Sequence, residues 1–302
     1  MKDAKVLVLG AGGMLGHKAV QGLSKRYDVT GTVRKAAERY GRFETFRAAR
    51  LIGGVDVADN GTVASVLERV RPGFVINCVG VIKQLEAAAD PRTVVAVNAV
   101  FPHKLADLCR SGRARLIHIS TDCVFSGSRG RYRETDAPDA TDLYGRTKFL
   151  GEVSGPSCLT LRTSIIGREL GSRNGLIEWF LASGSQEVRG YRRAIFSGLT
   201  TAAFVRVLGS VIEAPGWLDG VYHVSSEPIS KYDLLLMVRD AFHLPGNILP
   251  SDTPVIDRSL DGTRFREAMS YAPPSWPDMI RELAEDATPY GSWHESPPDL
   301  DD

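Results

Sequence analysis

A glycine-rich turn near the N-terminus limits the possible folds of this 302-residue chain more than any other feature. The apolar run Val6–Gly10 precedes the turn, and the helical pattern Met14–Lys25 follows it. Within the turn, Gly10, Gly13 and Gly16 have the spacing GxxGxxG. Glycine permits a tight strand-to-helix turn and lets the backbone approach a pyrophosphate, which free N–H groups at the helix N-terminus can bind. The sequence therefore predicts a dinucleotide-binding turn made of Gly10, Gly13, Met14, Leu15 and Gly16.

Short apolar runs alternate with helical patterns through the first half of the chain. The predicted strands are Val6–Gly10, Val29–Val33, Arg50–Val55, Phe74–Val79, Arg115–Ser120 and Cys158–Arg162. The predicted helices are Met14–Lys25, Val63–Val70, Pro91–Arg110 and one that begins near Asp142. Continuous apolar strands separated by helices indicate a parallel sheet with helices on both faces. We therefore expect the α/β class and a Rossmann-type, doubly wound parallel sheet.

The regular alternation fades after Thr163, where Gly, Pro and Ser interrupt the chain more often. Helical patterns remain at Leu176–Ala182, Ala202–Ile212, Lys231–Ala241 and Pro277–Ala284. Such a segment can form a small lobe over the carboxyl edge of the sheet, where doubly wound folds bind ligands. We predict a nucleotide-binding domain over residues 1–163 and a smaller C-terminal α/β substrate-binding lobe over 164–295, partly interleaved with it. The Pro- and Asp-rich residues 296–302 are predicted to form a disordered tail.

The charge balance and composition exclude several classes of partner. Lys plus Arg is 37 and Asp plus Glu is 36, a formal net charge of +1, which lacks the basic footprint of a nucleic-acid-binding protein. No stretch reaches the about 18–20 apolar residues of a membrane span, and the N-terminal apolar run is too short for a signal peptide. The four cysteines form no CxxC pair and lie at no metal-ligand spacing. We expect a cytoplasmic monomer or homodimer without nucleic-acid, membrane or metal partners.

The end of the second strand indicates the type of dinucleotide. An NAD site usually places an acidic residue there, about 20 residues after the glycines, to bind the ribose 2′-hydroxyl. This chain has Arg34 and Lys35 and no carboxylate, which favours a 2′-phosphate and NADPH over NADH, although both can also be solvated basic residues. Other cofactor contacts are predicted after the third and fourth strands, where each can equally be a turn residue. The remaining predicted cofactor contacts are Asp56, Val57, Cys78, Val79, Gly80, Asn98 and Ser120.

Tyr144 and Lys148 form a Tyr-x-x-x-Lys pair, and positions four apart lie on one face of a helix. An ammonium beside a phenol stabilises the phenolate, so Lys148 and an oxidised nicotinamide are expected to lower the tyrosine pKa from about 10. Such a tyrosine can protonate a carbonyl oxygen while hydride reaches its carbon. Thr121 ends the fifth strand, 23 residues before Tyr144, and its hydroxyl can orient the carbonyl. Taken alone, each motif has another interpretation. Tyr144 and Lys148 could be a pair on the protein surface, and Thr121 could cap a turn.

These residues resemble the extended short-chain dehydrogenase/reductase superfamily and, more closely, the dTDP-4-dehydrorhamnose reductase family. The resemblance follows the chain in order over about residues 5 to 280. Its strongest segments are Gly10–Gly16, Ser120–Gly127, Tyr132–Asp136, Tyr144–Glu152 and Leu161–Ser164, and weaker ones are Gly220–Val224 and Asp257–Leu260.

The resemblance implies reduction of the 4-keto group of a nucleotide-linked 6-deoxy sugar, which yields a deoxysugar donor for surface polysaccharide. It implies that Tyr144 is the acid, that Lys148 holds the cofactor ribose and tunes Tyr144, and that Thr121 positions the keto oxygen. Arg258 becomes a candidate diphosphate ligand because a guanidinium can bind phosphate through two hydrogen bonds, with a surface ion pair as the alternative. The predicted substrate contacts are Thr121, Asp122, Cys123, Asn174, Phe196, Ser197 and Arg258.

Three departures from the family pattern leave the sugar open. Ile165 and Ile166 stand where a tryptophan is usual, Cys123 stands where tyrosine is usual, and Phe196–Thr201 replaces a Gly-Ala/Pro-Thr pattern. A dTDP sugar and a UDP-linked N-acetylated 4-keto-6-deoxyhexose are both compatible with the sequence.

Three other functions remain as alternatives. A 4,6-dehydratase normally has a second carboxylate where this chain has Cys123. An epimerase with a transiently reduced cofactor would tend to hold NAD, which Arg34 and Lys35 disfavour. A non-catalytic NADP-binding regulatory subunit, such as the similar beta subunit of methionine adenosyltransferase, does not need the Tyr144, Lys148 and Thr121 that this chain has.

Overall fold

The structure of the chain, a computed structural model, describes residues 4–83 and 86–295; the tail predicted over residues 296–302 lies outside them. The strands are β1 Lys5–Leu9, β2 Asp28–Thr32, β3 Arg50–Ile52, β4 Phe74–Asn77, β5 Arg115–Thr121, β6 Cys158–Thr163, β7 Ile165–Ile166, β8 Val188–Tyr191, β9 Ala194–Phe196, β10 Leu199–Thr200, β11 Gly220–His223, β12 Ile229–Ser230, β13 Ile248–Ser251 and β14 Ile256–Asp257. The α-helices are α1 Met14–Leu23, α2 Asn60–Val70, α3 Pro91–Val95, α4 Phe101–Ser111, α5 Leu143–Leu150, α6 Leu176–Ser183, α7 Thr201–Glu213, α8 Lys231–Ala241, α9 Thr263–Met269, α10 Trp276–Ala284 and α11 Tyr290–Glu295. Short 3-10 helices lie at Ala37–Tyr40, Glu44–Phe46, Glu86–Ala89 and Asp122–Val124.

The central sheet has seven strands in the order β11-β6-β5-β4-β1-β2-β3. Every neighbouring pair is parallel. The order reverses between β1 and β4, and doubly wound folds bind ligands beyond the carboxyl ends of the strands at such a reversal. The predicted doubly wound parallel sheet is confirmed.

Strand β1 shows why helices cover both faces of the sheet. Val6 and Val8 belong to the core cluster that includes α1 and α7 residues, whereas Leu7 and Leu9 belong to the cluster that includes α2 and α4 residues. All four side chains are fully buried. Successive side chains of a strand point to opposite faces, so an uninterrupted apolar run requires a cover on each. Burial of each such side chain contributes about 1.5–3 kcal/mol.

The segment after residue 163 contributes to two parts of the molecule. Its β11 joins the central sheet beside β6, and its α7 packs against α1. The rest forms small sheets, β12-β9-β14, β13-β8 and β10-β7. The four predicted helical patterns correspond to α6, α7, α8 and α10. The strands of two to four residues were not predicted, because runs this short carry too little periodicity, and the division at residue 163 stays a prediction.

The predicted helix Pro91–Arg110 is wrong in one respect, because a π-helical turn at Ala96–Val100 separates α3 from α4. Asn98 lies in this turn, and its side-chain amide accepts a hydrogen bond from the backbone N–H of Val81 (2.8 Å) and donates one to the Val81 carbonyl (2.9 Å). Its backbone also meets the end of α5, since a β carbon at Gly151 would lie 1.9 Å from the Asn98 carbonyl oxygen. The π turn therefore connects the loop after β4 to the end of α5.

We expect Gly151→Ala to lower the free energy of unfolding by about 1–3 kcal/mol, because the added methyl group meets backbone that must shift. Gly209→Ala, inside α7, is the matched control. A β carbon there meets no heavy atom within 4 Å, so alanine should raise the free energy of unfolding by up to about 1 kcal/mol. Urea unfolding of the three proteins measures both changes, and equal effects of the two substitutions would contradict the close packing at Gly151.

Candidate active site

The glycine turn after β1 contacts the turn after β4. A β carbon at Gly10 would lie 3.0 Å from the Val79 side chain, and Gly10 has a φ of +78°, which favours glycine. A β carbon at Gly16 would lie 2.0 Å from the Gly10 carbonyl oxygen, so α1 packs directly against the turn. The first N–H groups of α1 have no partner within the helix. Met14 and Leu15 begin that helix, and the arrangement fits a pyrophosphate.

The residues after β2 approach the same turn through Tyr40. A β carbon at Gly12 would lie 3.1 Å from the Tyr40 ring. Burial raises the pKa of the Tyr40 phenol, and the nearby positive charges of Arg34 and Arg39 oppose that rise. Arg34, the predicted 2′-phosphate ligand, therefore lies beside the glycine turn with a second arginine. Tyr40 and Arg39 were missed by the sequence reasoning because they belong to no motif.

Asp56 follows β3, where its side chain accepts a hydrogen bond from the Ala58 backbone N–H (2.9 Å). Its carbonyl accepts another from the Thr62 hydroxyl (2.8 Å). Asp56 thus forms the turn that the sequence offered as the alternative to a cofactor contact. Val57 and Val79 both pack against two hydrophobic clusters, the second of which contains Val81. The cofactor contacts of Asp56 and Val57 stay predictions.

The turn after β4 lies between the glycine turn and Lys148. Its backbone is held by Asn77, whose side chain accepts a hydrogen bond from the Val79 N–H (3.1 Å), and by Asn98 at Val81. A β carbon at Gly80 would lie 4.0 Å from Lys148 Nζ. The turn at Gly80 therefore lies close to the lysine. Asn98 serves the site by holding this turn.

Helix α5 carries Tyr144 and Lys148, as predicted, and it starts at the N-cap Asp142, which accepts a hydrogen bond from the Gly145 N–H (2.9 Å). Lys148 is buried, and its Nζ donates a hydrogen bond to the Ile119 carbonyl (2.7 Å). Burial lowers the pKa of Lys148 to about 8, against the opposing charge of Glu152. At neutral pH the lysine is therefore mostly an ammonium, but it holds its proton less firmly than an ordinary lysine does.

In the protein by itself, burial raises the pKa of the Tyr144 phenol above its ordinary value, and the neighbouring Cys123 adds to the rise. The Lys148 ammonium donates its hydrogen bond to the Ile119 carbonyl. The lowering expected from Lys148 together with an oxidised nicotinamide stays a prediction. A raised pKa keeps the phenol protonated at neutral pH, which is the state that a proton donor requires.

Thr121 lies at the end of β5 and contacts Asp122 and Cys123. Its hydroxyl donates to the Asp122 carboxylate (3.1 Å) and accepts from the Cys123 N–H (3.1 Å). Thr121 also lies near Tyr144, where it opposes the rise of the phenol pKa. Burial raises the pKa of Asp122, and the positive charges of Arg258 and Lys231 oppose this. The structure thus brings Thr121, Asp122, Cys123 and Tyr144 together.

Lys83 is a further cation beside Tyr144, and it was not predicted from the sequence. Its Nζ lies 5.7 Å from the centroid of the Tyr144 ring and 2.8 Å from Asp142 Oδ2. A cation over an aromatic face is attracted to the ring, so Lys83 covers Tyr144 from the side of the loop after β4. No sequence motif marks Lys83, because only the tertiary fold brings that loop over α5.

The predicted substrate contacts Arg258, Phe196 and Ser197 differ in how deeply they are buried. Arg258 is half-buried, and its Nε donates to the Phe125 carbonyl (2.9 Å). Phe196 and Ser197 are buried: the Phe196 ring lies 5.4 Å from that of Trp276, and the Ser197 hydroxyl accepts from the Leu260 N–H (2.8 Å). Their side chains pack within the lobe, and their contact with substrate stays a prediction.

Two predicted residues meet buried glutamates. The Asn174 N–H donates to Glu169 (2.8 Å), which also accepts from the Gly175 N–H (3.1 Å). A β carbon at Gly175 would lie 3.6 Å from the Met14 sulfur, so the Asn174 loop lies against the glycine turn. The Ser120 hydroxyl donates to Glu152 (2.7 Å), which leaves its backbone as the part that can face a cofactor.

Within residues 4–83 and 86–295, no helix has the length and apolar character needed to cross a membrane. In the same part of the chain, no three His, Cys, Asp or Glu side chains are grouped to hold a metal ion. The cysteines Cys78, Cys109, Cys123 and Cys158 are free thiols.

Comparison with known proteins shows the family to which the chain belongs. The family model of the RmlD substrate binding domain matches residues 4–287. The dTDP-4-dehydrorhamnose reductase of Aggregatibacter actinomycetemcomitans is 24% identical over 306 residues, which cover 93% of this chain and 98% of that protein. Methionine adenosyltransferase 2 subunit beta of Danio rerio is 27% identical over 259 residues, which cover 81% of this chain and 76% of that protein.

A solved structure has the same fold. The dTDP-4-dehydrorhamnose reductase of Bacillus anthracis, in complex with NADP, matches with a TM-score of 0.78 at 22% identity. The match covers 93% of this chain and 98% of that one. At this identity, the likeness establishes the arrangement of strands and helices.

We expect NADPH affinity to fall above about pH 8. The folded pKa of Lys148 is lowered from 10.5 to about 8, so the ammonium that is expected to hold the ribose is lost as the pH rises past that value. The dissociation constant should increase roughly tenfold per pH unit above this point, measured by nucleotide fluorescence between pH 6.5 and 9.5. The Tyr144 phenol does not titrate in this range, because its pKa lies above its ordinary value. In Lys148→Arg the cation persists and the affinity should stay level; a parallel fall in both proteins would assign the titration to another group.

Proposed function

Because the chain belongs to the RmlD substrate binding domain family, we propose that it reduces the 4-keto group of a nucleotide-linked 4-keto-6-deoxy sugar with NADPH. The observation that carries the proposal is the placement of Thr121 at the carboxyl end of β5 near Tyr144, whose phenol burial keeps protonated, with Lys148 one turn further along α5. A relative that covers 93% of this chain is a dTDP-4-dehydrorhamnose reductase. The product would be a deoxysugar donor for surface polysaccharide, made in the cytoplasm.

Each residue of the site has a definite task in this reaction. Tyr144 donates its phenolic proton to the keto oxygen, and Thr121 orients that oxygen through its hydroxyl. The Lys148 ammonium binds ribose hydroxyls and keeps the nicotinamide end of the cofactor beside Tyr144. When NADPH is bound, it supplies the hydride that reaches the keto carbon. Oxygen protonation and hydride addition together turn the ketone into a secondary alcohol.

The cofactor assignment is supported by the glycine turn and by the basic residues beside it. The absence of β carbons at Gly10 and Gly16 lets the turn after β1 pack closely against the turn after β4 and against α1, and Arg34 and Arg39 lie near Tyr40 beside that turn. A solved structure of the same fold was obtained in complex with NADP. The division into residues 1–163 and 164–295 assigns the cofactor to the first part and the nucleotide sugar to both.

Arg34→Ala should weaken NADPH binding at least about tenfold, since a charge-assisted contact to phosphate contributes about 1.5–3 kcal/mol. NADH has no 2′-phosphate, so its dissociation constant should change less than about twofold. Isothermal titration with both nucleotides measures the difference. Equal losses for NADPH and NADH would remove Arg34 from the 2′-phosphate site.

Two classes of substrate are proposed equally. One is a dTDP-linked sugar and the other is a UDP-linked N-acetylated sugar. Cys123 and Ile165 stand at positions where the family usually has large aromatic side chains. Smaller side chains there leave more room for a substituent such as an acetamido group. The partner is a small nucleotide sugar, and a monomer or homodimer is proposed for the assembly.

The likeness to methionine adenosyltransferase 2 subunit beta favours a second candidate, a non-catalytic NADP-binding subunit. What supports an enzyme is the complete set of Tyr144, Lys148 and Thr121 in one site. Binding of a partner protein at one copy per chain, with no oxidation of NADPH by any ketone, would support the second candidate.

NADPH oxidation with a panel of dTDP- and UDP-linked 4-keto-6-deoxy sugars tests the proposal. Tyr144→Phe should lower kcat at least about 100-fold, because general acid catalysis contributes about 10²–10⁴-fold, and should leave the dissociation constant of NADPH within about twofold. Tyr271→Phe is the matched control, because the Tyr271 hydroxyl is buried with no hydrogen-bond partner among the described residues. Unchanged turnover in Tyr144→Phe would eliminate its role as the acid.

A further inference from the structure

His17 is a polar side chain buried beneath the glycine turn, and the reaction described above does not use it. It lies on the first turns of α1, where its side chain is fully buried. Its Nδ1 lies 2.9 Å from the Gly13 carbonyl oxygen, and its Nε2 lies 2.8 Å from the Tyr290 hydroxyl oxygen. Burial of a polar ring costs free energy unless its nitrogens are hydrogen-bonded. Both nitrogens are bonded here, so the ring is held from two sides.

The direction of the two hydrogen bonds follows from the chemistry of the groups. A carbonyl oxygen only accepts, so the Nδ1 that faces Gly13 carries a proton and donates it. Burial lowers the pKa of His17 to about 4, so the ring is neutral at pH 7 and has a single proton. The Nε2 atom therefore accepts a hydrogen bond from the Tyr290 hydroxyl. Tyr290 donates to His17, and His17 donates to Gly13.

The Gly13 carbonyl controls the direction of the next N–H group. Gly13 is the N-cap of α1, and its carbonyl also accepts from the backbone N–H of His17 (3.1 Å). The Gly13–Met14 peptide is trans, so its C=O and N–H point in opposite directions. A carbonyl that points into the helix therefore directs the Met14 N–H out of its N-terminus, where it has no helical partner. Because helix ends fray, the second bond from the His17 ring restrains this peptide.

The segment that carries Tyr290 is attached to α1 at two further points. Lys18 forms an ion pair with Asp286 (2.5 Å). Gln21, one helical turn after His17, donates a hydrogen bond to the Thr288 hydroxyl (2.9 Å). These contacts lie on the same helix as His17 and hold Tyr290 beside it.

Helix α11 also reaches the glycine turn through aromatic contacts. The Trp293 ring lies 4.9 Å from that of Phe43, and the Phe43 ring lies 6.2 Å from that of Tyr40. Tyr40 in turn contacts Gly12. The helix therefore supports the turn by two routes, one through apolar packing and one through the hydrogen bonds of His17.

We propose that His17, held by Tyr290, is a positioning residue for the dinucleotide, which fixes the Gly13 peptide so that the Met14 N–H is directed towards the pyrophosphate. The inference rests on the proposed function, because it assigns His17 a role towards the cofactor. Tyr290 lies beyond residues 4–287, which the family model matches, so the family assignment does not cover this contact. A donor that is oriented before binding improves affinity for the group it meets. The benefit therefore belongs to the pyrophosphate and not to the adenosine or its 2′-phosphate.

Isothermal titration of the full chain with NADPH and with adenosine 2′-monophosphate tests this role. The second ligand keeps the adenosine and the 2′-phosphate but has no pyrophosphate. In His17→Leu, the dissociation constant of NADPH should rise at least about fivefold, whereas that of adenosine 2′-monophosphate should change less than about twofold. Tyr290→Phe keeps the ring but removes the hydroxyl, and it should weaken NADPH binding about threefold with the same selectivity.

Two amide variants separate the hydrogen bond to Gly13 from the one to Tyr290. The amide of His17→Asn is attached where the ring carries Nδ1, so this variant should restore most of the NADPH affinity. The amide of His17→Gln extends to the position of Nε2, so this variant should bind NADPH as weakly as His17→Leu. Gln21→Met is the matched control, because Gln21 holds the same segment one turn further from the glycine turn. NADPH affinity in Gln21→Met should stay within about twofold.

Unchanged NADPH affinity in His17→Leu would overturn the inference. Equal losses for NADPH and adenosine 2′-monophosphate would also overturn it, because that pattern belongs to a general loosening of α1. If His17→Leu does not fold, equal NADPH affinities in His17→Asn and His17→Gln would have the same consequence.

Turnover separates the inference from the proposed function. If keto sugars are reduced and His17→Leu leaves both the NADPH affinity and the KM for NADPH unchanged, the inference fails alone. If no keto sugar reacts but NADPH binding depends selectively on His17, the inference stands and the reaction is a different one.

Discussion

The buried ion pair between Glu152 and Arg162 holds together the parts that carry the catalytic residues. Both side chains are almost fully buried, and Arg162 donates two hydrogen bonds of 2.7 Å to the carboxylate. The Ser120 hydroxyl donates a third. Glu152 lies two residues after the end of α5, while Ser120 lies on β5 and Arg162 on β6. Loss of one partner of a buried pair leaves an uncompensated charge and costs about 3–5 kcal/mol, so the helix of Tyr144 is fixed against the strands beside it.

The same arginine extends this connection to the later half of the chain. Arg162 donates to His223 Nε2 (3.2 Å), and His223 Nδ1 donates to the Tyr132 carbonyl (3.0 Å). Burial lowers the pKa of His223 to about 3, so the ring is neutral, with its proton on Nδ1. The His223 backbone N–H donates to Glu134 (2.8 Å). Strand β11, which comes from the segment after residue 163, is thereby attached to the loop after β5.

Features encoded in short stretches of sequence could be predicted, whereas features created by tertiary contact could not. The glycine turn, the apolar strands and the spacing of Tyr144 and Lys148 are local, and each follows from the geometry of one strand or helix. The π turn at Asn98 depends on a hydrogen bond to Val81, 17 positions away. Burial raises the pKa of Tyr144, and the extent of this burial could not be predicted from the sequence.

Burial favours the neutral forms of both the Tyr144 phenol and the Lys148 amine. The protonation states of the two side chains that a substrate meets therefore depend on burial. An enzyme does not alter the equilibrium between ketone and alcohol, so a raised Tyr144 pKa does not itself favour reduction. It does ensure that the free protein holds the phenol rather than the phenolate throughout the neutral range. A ketone entering the cleft therefore meets a proton donor near Thr121, whereas an alcohol would first require that proton to leave a buried site. The Lys148 ammonium, held with a pKa of about 8, is favoured by any anion bound nearby. Occupation of the glycine turn by a pyrophosphate thus strengthens the charge that holds the ribose, and it couples cofactor binding to the protonation state of the site.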